Sequence, residues 1–234
     1  MSETEDLNIA LKEFTFEEEE GKSERQALTV SIPEVLDGQY GMYVWPCAVV
    51  LAQYVWWHWE ELRGKTILEI GAGVSLPGVV AAKCGAQVLL SDSAELPKCL
   101  ENCQRSCEVN GLSSIPVLGL TWGRISPNML LLPTLHFILG SDVFYEPEDF
   151  EDILVTISFF LRKNPQVQFW TTYQERSADW SIEALLHKWN MQCVHIPLDT
   201  FSADKGGLAG SALPGSHTVQ MMIITMKESA GGTV

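Results

Sequence analysis

Short unbroken apolar runs alternate with stretches of helical periodicity along this chain of 234 residues. The runs fall at residues 66–70 and 87–92, at Pro116–Leu120, Leu135–Ser141 and Gln166–Tyr173. Helical patterns fill the intervals, at Pro77–Cys84, Ala94–Val109, Pro147–Leu161 and Ala178–Trp189. A continuous apolar run followed by a helix predicts a strand buried on both faces of a parallel sheet. Two further strands, Gln192–Ile196 and Thr218–Met226, are separated by a Gly/Ser/Asp loop and no helix, which predicts an antiparallel edge pair. Upstream, Gln26–Ile32 alternates into a strand expected to stop at Pro33, and Cys47–Leu62 reads as an amphipathic, tryptophan-rich helix. The pattern predicts an α/β fold, a doubly wound seven-stranded sheet, mostly parallel with an antiparallel C-terminal hairpin. Helix punctuation agrees. Pro77 and Gly85 bracket one helix, and Ser93 and Asn110-Gly111 bracket the next.

Residues 1–25 carry nine acids against three basic residues. The first dozen are expected to form a mobile acidic tail, with the rest able to pair as an edge strand. One domain, 26–228, follows, then a short tail at 229–234. A hydrophobic content of 46% suffices for a full core at this length. The net charge of −15 changes the picture more. It excludes nucleic-acid binding as the main task and favours a basic protein partner. Val44–Trp57 is the longest apolar stretch, interrupted by Pro46 and Gln53 and too short to span a bilayer. With an acidic N-terminus in place of a secretory or transit signal, a nuclear and cytoplasmic protein is expected. Cys99, Cys103 and Cys107 fall four apart on one helical face and read as buried reduced thiols, so no metal site is expected.

The candidate chemistry starts at Glu69-Ile70-Gly71-Ala72-Gly73, where a strand ends in an acid and turns through two glycines into a helix. Glycine there removes the Cβ atoms that would hold a ligand off the backbone. Leu76 stands where the dinucleotide fingerprint needs its third glycine, so the spacing Gly71, Gly73 and Gly78 suits a nucleoside with an amino-acid tail. S-adenosylmethionine is such a ligand, and Glu69 could bond its ammonium directly or through water. Asp92, at the tip of the next strand and 19 residues beyond Gly73, suits its ribose hydroxyls; its other reading is a helix N-cap.

Three further motifs carry a resemblance. Leu120-Thr121-Trp122-Gly123 resembles the tryptophan motif of the family-16 protein methyltransferases, which are of the class I, seven-β-strand type. Gly140-Ser141-Asp142-Val143-Phe144-Tyr145 resembles their D-x-x-Y signature, and Val44-Trp45-Pro46 their upstream tryptophan. The resemblance implies Trp122 packed on adenine, Trp45 covering the cofactor's other side, Ser141 in the cofactor set, and Asp142 and Tyr145 beside the transferred methyl. For both tryptophans core packing is the competing reading, and for Asp142 a helix cap. Glu146 and Glu148 lie just beyond and, with Asp142, could clamp a guanidinium. Gly41-Met42-Tyr43-Val44-Trp45-Pro46-Cys47 and Ala72–Gly78 are similar to a branch of the family for which histone arginine methylation is implied. That resemblance implies a basic protein substrate, histone H3, with chaperones as further partners. Lysine methylation of a specific non-histone protein is the alternative. An NAD-linked oxidoreductase and a non-catalytic binding module are the readings from other classes.

Overall fold

The computed structural model describes residues 9–17, 27–35, 41–176 and 182–227. In chain order the elements are β1 (Ile9–Phe16), β2 (Leu28–Val35), α1 (Pro46–Trp57), α2 (Trp59–Leu62), β3 (Thr66–Glu69), α3 (Leu76–Lys83), β4 (Gln87–Asp92), α4 (Pro97–Val109), β5 (Val117–Gly119), α5 (Pro127–Leu131), β6 (Phe137–Ser141), α6 (Phe150–Lys163), β7 (Gln168–Gln174), α7 (Ile182–Lys188), β8 (Met191–Ile196) and β9 (Val219–Met226). Seven of the strands make one sheet in the order β5-β4-β3-β6-β7-β9-β8. The first five are parallel; β9 runs antiparallel between β7 and β8. The chain moves outward from β3 to β5 and then returns to β6 on the other side of β3. The C-terminal ends of β3 and β6 therefore flank the switch point, where open α/β sheets bind ligands. One apolar core lies on each face, one including α1 and α3 and the other α6. Among the described residues no helix is long and apolar enough to cross a membrane.

The expected acidic tail at 1–25 is corrected in part. Residues 9–16 form β1, paired antiparallel along the whole of β2. Phe14 and Phe16 lie two apart on its buried face, a period-2 signal diluted by the surrounding acids. Residues 1–8 and 18–26, like the C-terminal tail at 229–234, lie outside the described residues. β2 runs through Pro33 to Val35, because among the described residues it pairs with β1 alone and a proline is tolerated in such a two-stranded ribbon. The helix expected as amphipathic is buried on nearly every side, from Cys47 to Trp56, since it meets β7, β9, α3 and the segments around Leu198–Phe201 and Leu208–Gly210. It ends at Trp57, where the His58 ring donates from Nδ1 to the Tyr54 carbonyl at 2.9 Å. α4 starts at Pro97 rather than Ala94. The residue before a proline avoids helical dihedrals, so Ser93 caps only a local turn, accepting from the Glu95 N–H at 3.2 Å.

Candidate active site

The glycine turn after β3 is held from both neighbouring strands. The Ile70 N–H donates to the Leu139 carbonyl at 2.9 Å, and the Ala72 N–H to Ser91 at 3.0 Å. Gly71 and Gly73 take φ of +57° and +54°, left-handed conformations that glycine adopts without strain. A Cβ on Gly71 would sit 3.1 Å from the Trp122 ring and 3.2 Å from Val143, and one on Gly73 would sit 3.1 Å from the Gly41 Cα. Both approaches are closer than ordinary contact.

The two strand-tip acids face different ways. Asp92 borders the cleft and accepts from the Gly73 N–H through Oδ2 and from the Ser93 N–H through Oδ1, both at 2.7 Å. Burial raises its pKa, and the two N–H groups offset part of that rise. The N-cap reading is thus replaced by a brace across the glycine turn. Its oxygens keep lone-pair capacity for a ribose hydroxyl. Glu69 is fully buried behind the turn and outside the cleft lining. Its Oε2 accepts from the Gly78 N–H at 3.0 Å, while Oε1 has no hydrogen-bond partner among the described residues. Burial pushes its pKa well up, against the Gly78 N–H and with the nearby Asp92 charge. Glu69 therefore reaches a ligand only through the turn and helix it holds.

A cleft of about 650 Å³ opens over this turn. Trp45 and Tyr43 stand on one side, their rings 4.8 Å apart, and Trp122 stands on another. The Cys99 thiol borders the cleft, and the Cys103 thiol donates to the Gly73 carbonyl at 3.0 Å. The face that carries the cysteines thus buttresses the turn.

The far end is built from the tips of β6 and β7. Ser141, Asp142, Tyr145, Glu146, Asp149 and Asp152 line it. Glu148 is exposed and outside the lining. Asp142 is 8% exposed and holds a φ of +54°, a costly conformation for a non-glycine residue. Arg176, just past β7, explains its stability there. The guanidinium donates to both carboxylate oxygens, at 2.8 and 2.5 Å, and again to the Gln174 carbonyl at 3.1 Å. Asp142 is therefore a paired, fixed anion. Below it, burial pushes the Cys47 thiol pKa up, and the charge of Asp142 adds to that. Asp149 and Asp152 belong to the acidic run that begins at Glu146, and Tyr43 to the Gly41–Cys47 stretch, so the sequence pointed to all three; Arg176, a lone arginine after a strand, had no signal beyond its type.

The cleft fits S-adenosylmethionine. The glycine cradle leaves backbone free to meet a methionine tail, Asp92 borders the cleft with lone pairs that a ribose would use, and tryptophans line it on two sides where an adenine would stack.

Comparison with known proteins gives the same answer. The family profile described as "Lysine methyltransferase" matches residues 24–184. The chain belongs to this family. As a family-16 methyltransferase it is 62% identical over 232 residues to "Histone-arginine methyltransferase METTL23" of Xenopus laevis, covering 99% of both chains. It is 65% identical to the protein of that name from Homo sapiens over 189 residues, which is 81% of this chain and 100% of the relative. "Protein N-lysine methyltransferase METTL21A" of Mus musculus is more distant, at 36% over 126 residues, 52% of this chain and 56% of the relative. Among solved structures, a methyltransferase from Agrobacterium tumefaciens superposes with a TM-score of 0.55 at 14% identity, over 85% of this chain and 68% of its own. Magnesium protoporphyrin IX methyltransferase from Synechocystis gives 0.51 at 13% identity, over 78% and 84%. These likenesses show the class I methyltransferase fold.

Proposed function

We propose that this family-16 methyltransferase uses S-adenosylmethionine to methylate arginine on histone H3, acting in the nucleus as well as the cytoplasm. The observation that carries the reading is the acceptor end of the cleft, where Glu146, Asp149 and Asp152 gather beside Asp142. Among the described residues no cation pairs with those three carboxylates, whereas Asp142 is already answered by Arg176. An incoming cation thus meets a surplus of negative charge. When bound, S-adenosylmethionine supplies a methyl group on a cationic sulfonium, for in-line transfer to a nitrogen.

The protein's part is positioning and charge. Asp92 and the glycine turn fix the donor. The rim carboxylates bind the acceptor, and one of them takes the proton released as the nitrogen is alkylated. A guanidinium stays protonated at neutral pH and presents five donors, so it needs several carboxylates at once. A lysine amine needs one acceptor after losing its proton. Three acids at the rim match the first demand, and the relatives named for histone arginine stand at 60% identity or more.

The test is mass spectrometry of a histone H3 peptide beside its Arg→Lys and Lys→Arg counterparts. Methyl groups are expected to follow the arginines. Glu146→Gln and Asp149→Asn should each lower kcat/KM by about tenfold or more, the equivalent of about 1.4 kcal/mol, with cofactor affinity unchanged. Glu148→Gln should change it less than about twofold, since that carboxylate lies outside the lining. Methylation that follows the lysines overturns the arginine assignment.

A further inference from the structure

Glu34 is a buried carboxylate outside the cleft lining, 6% exposed, near the end of β2. Its Oε1 accepts from the Val44 N–H at 2.8 Å, and its Oε2 pairs with Lys12 of β1 at 2.7 Å. One residue on, the Val35 N–H donates to the Met42 carbonyl at 2.8 Å. These two bonds lay the segment Gly41–Trp45 against the end of β2. That segment carries Tyr43 and Trp45, which line the cleft, and Gly41, packed against Gly73 of the glycine turn.

We infer that Glu34 is a positioning residue of the cofactor site, and that the N-terminal hairpin works as the bracket that holds the aromatic cover over the glycine turn. The hairpin is itself anchored elsewhere. Asn110, at the end of α4, accepts from the Ser31 N–H at 3.1 Å and donates to the Ser31 carbonyl at 2.7 Å, in the manner of a neighbouring strand. A rigid route thus runs from α4 through β2 and Glu34 to the cover. Without Glu34 the Val44 N–H loses a charged acceptor, and Tyr43 and Trp45 lose the bond that sets their height above the turn. Lys12 is 56% exposed and never reaches the cleft, yet it neutralises the buried charge that makes this bond. Removing Lys12 alone strands an unpaired buried anion.

The inference rests on the cleft being the S-adenosylmethionine site, and calorimetry with that compound separates the two claims. Absence of binding to the wild-type protein overturns the site itself. Given wild-type binding, Glu34→Ala should weaken it by about tenfold, as expected for a lost hydrogen bond to a charged group, while the peptide KM and the kcat at saturating cofactor stay close to wild type. Lys12→Met should weaken it in the same direction. The double variant Lys12→Met with Glu34→Gln keeps an acceptor for Val44 and buries no charge, so it should recover most of the affinity, whereas Lys12→Met with Glu34→Ala should not. Wild-type affinity in Glu34→Ala overturns the inference. So does a double Gln variant that binds no better than the double Ala variant, because the effect would then be general stability of the hairpin.

Discussion

Glu69 ends β3 with its carboxyl sealed from solvent and one oxygen without a partner among the described residues, and this has a measurable cost. Its pKa stands well above the usual 4.5 because burial penalises the charged form. The folded protein then holds that proton more tightly than the unfolded chain. The stability this supplies is complete below the usual carboxylate value and is lost as pH rises through the raised one. Asp92 contributes in the same direction, starting from 3.8. Glu69→Gln, which cannot ionise, should therefore gain in melting temperature relative to wild type as pH climbs from about 4 towards neutrality. Circular dichroism melts across that range decide it, and parallel curves for the two proteins would sink the assignment. Both acids were legible in the sequence as strand tips. Which way each pointed was not, because a run ending in an acid fixes the Cα position and leaves the carboxylate free to serve the cleft or the turn. Arg176 was invisible for the opposite reason, its partner lying 34 residues away across two strand ends.

At the scale of elements, β3, the glycine turn and α3 form one unit whose tightest point is Gly78. Its N–H bonds Glu69, and a Cβ there would run into the Glu69 carboxylate and Leu90. Gly78→Ala is expected to lower stability by about 1–3 kcal/mol, the usual cost of overpacking, read as a lower urea midpoint with an unchanged slope. A fully tolerated alanine would show that the helix can shift away from the strand. The sheet itself was readable, since parallel strands buried on both faces announce themselves as apolar runs. β1 was readable only as an edge strand expected beyond the first dozen residues, because its inward period of two spans only Phe14 and Phe16 amid acids. α1 misled for a related reason: Gln53, polar in the sequence, is buried because its amide donates to the Phe201 carbonyl at 3.1 Å, a partner 148 residues downstream. α5 escaped because five residues carry too little periodicity to register.

Over the whole molecule, the proposed function has a charge of −15 and the acidic end of the cleft both drawing a basic peptide. That attraction is screened by salt, so raising ionic strength from about 0.05 M to about 0.5 M should raise the KM for a histone peptide severalfold. Affinity for S-adenosylmethionine should change far less, because on the proposed reading Asp92 and the glycine turn hold it at hydrogen-bond range in a partly closed site. A KM indifferent to salt would remove long-range charge from substrate choice. The order of the sheet has another consequence, for the chain as it is made. The strand inserted between β7 and β8 is β9, the last of the described elements. On the ribosome both of its neighbours emerge first, with the edges they will share with it open to solvent, and exposed strand edges template association between chains. Until residues 219–226 leave the exit tunnel, β8 has no place in the sheet. A message that stops translation before them would leave every residue of the cleft described above intact and still yield a protein destined for clearance.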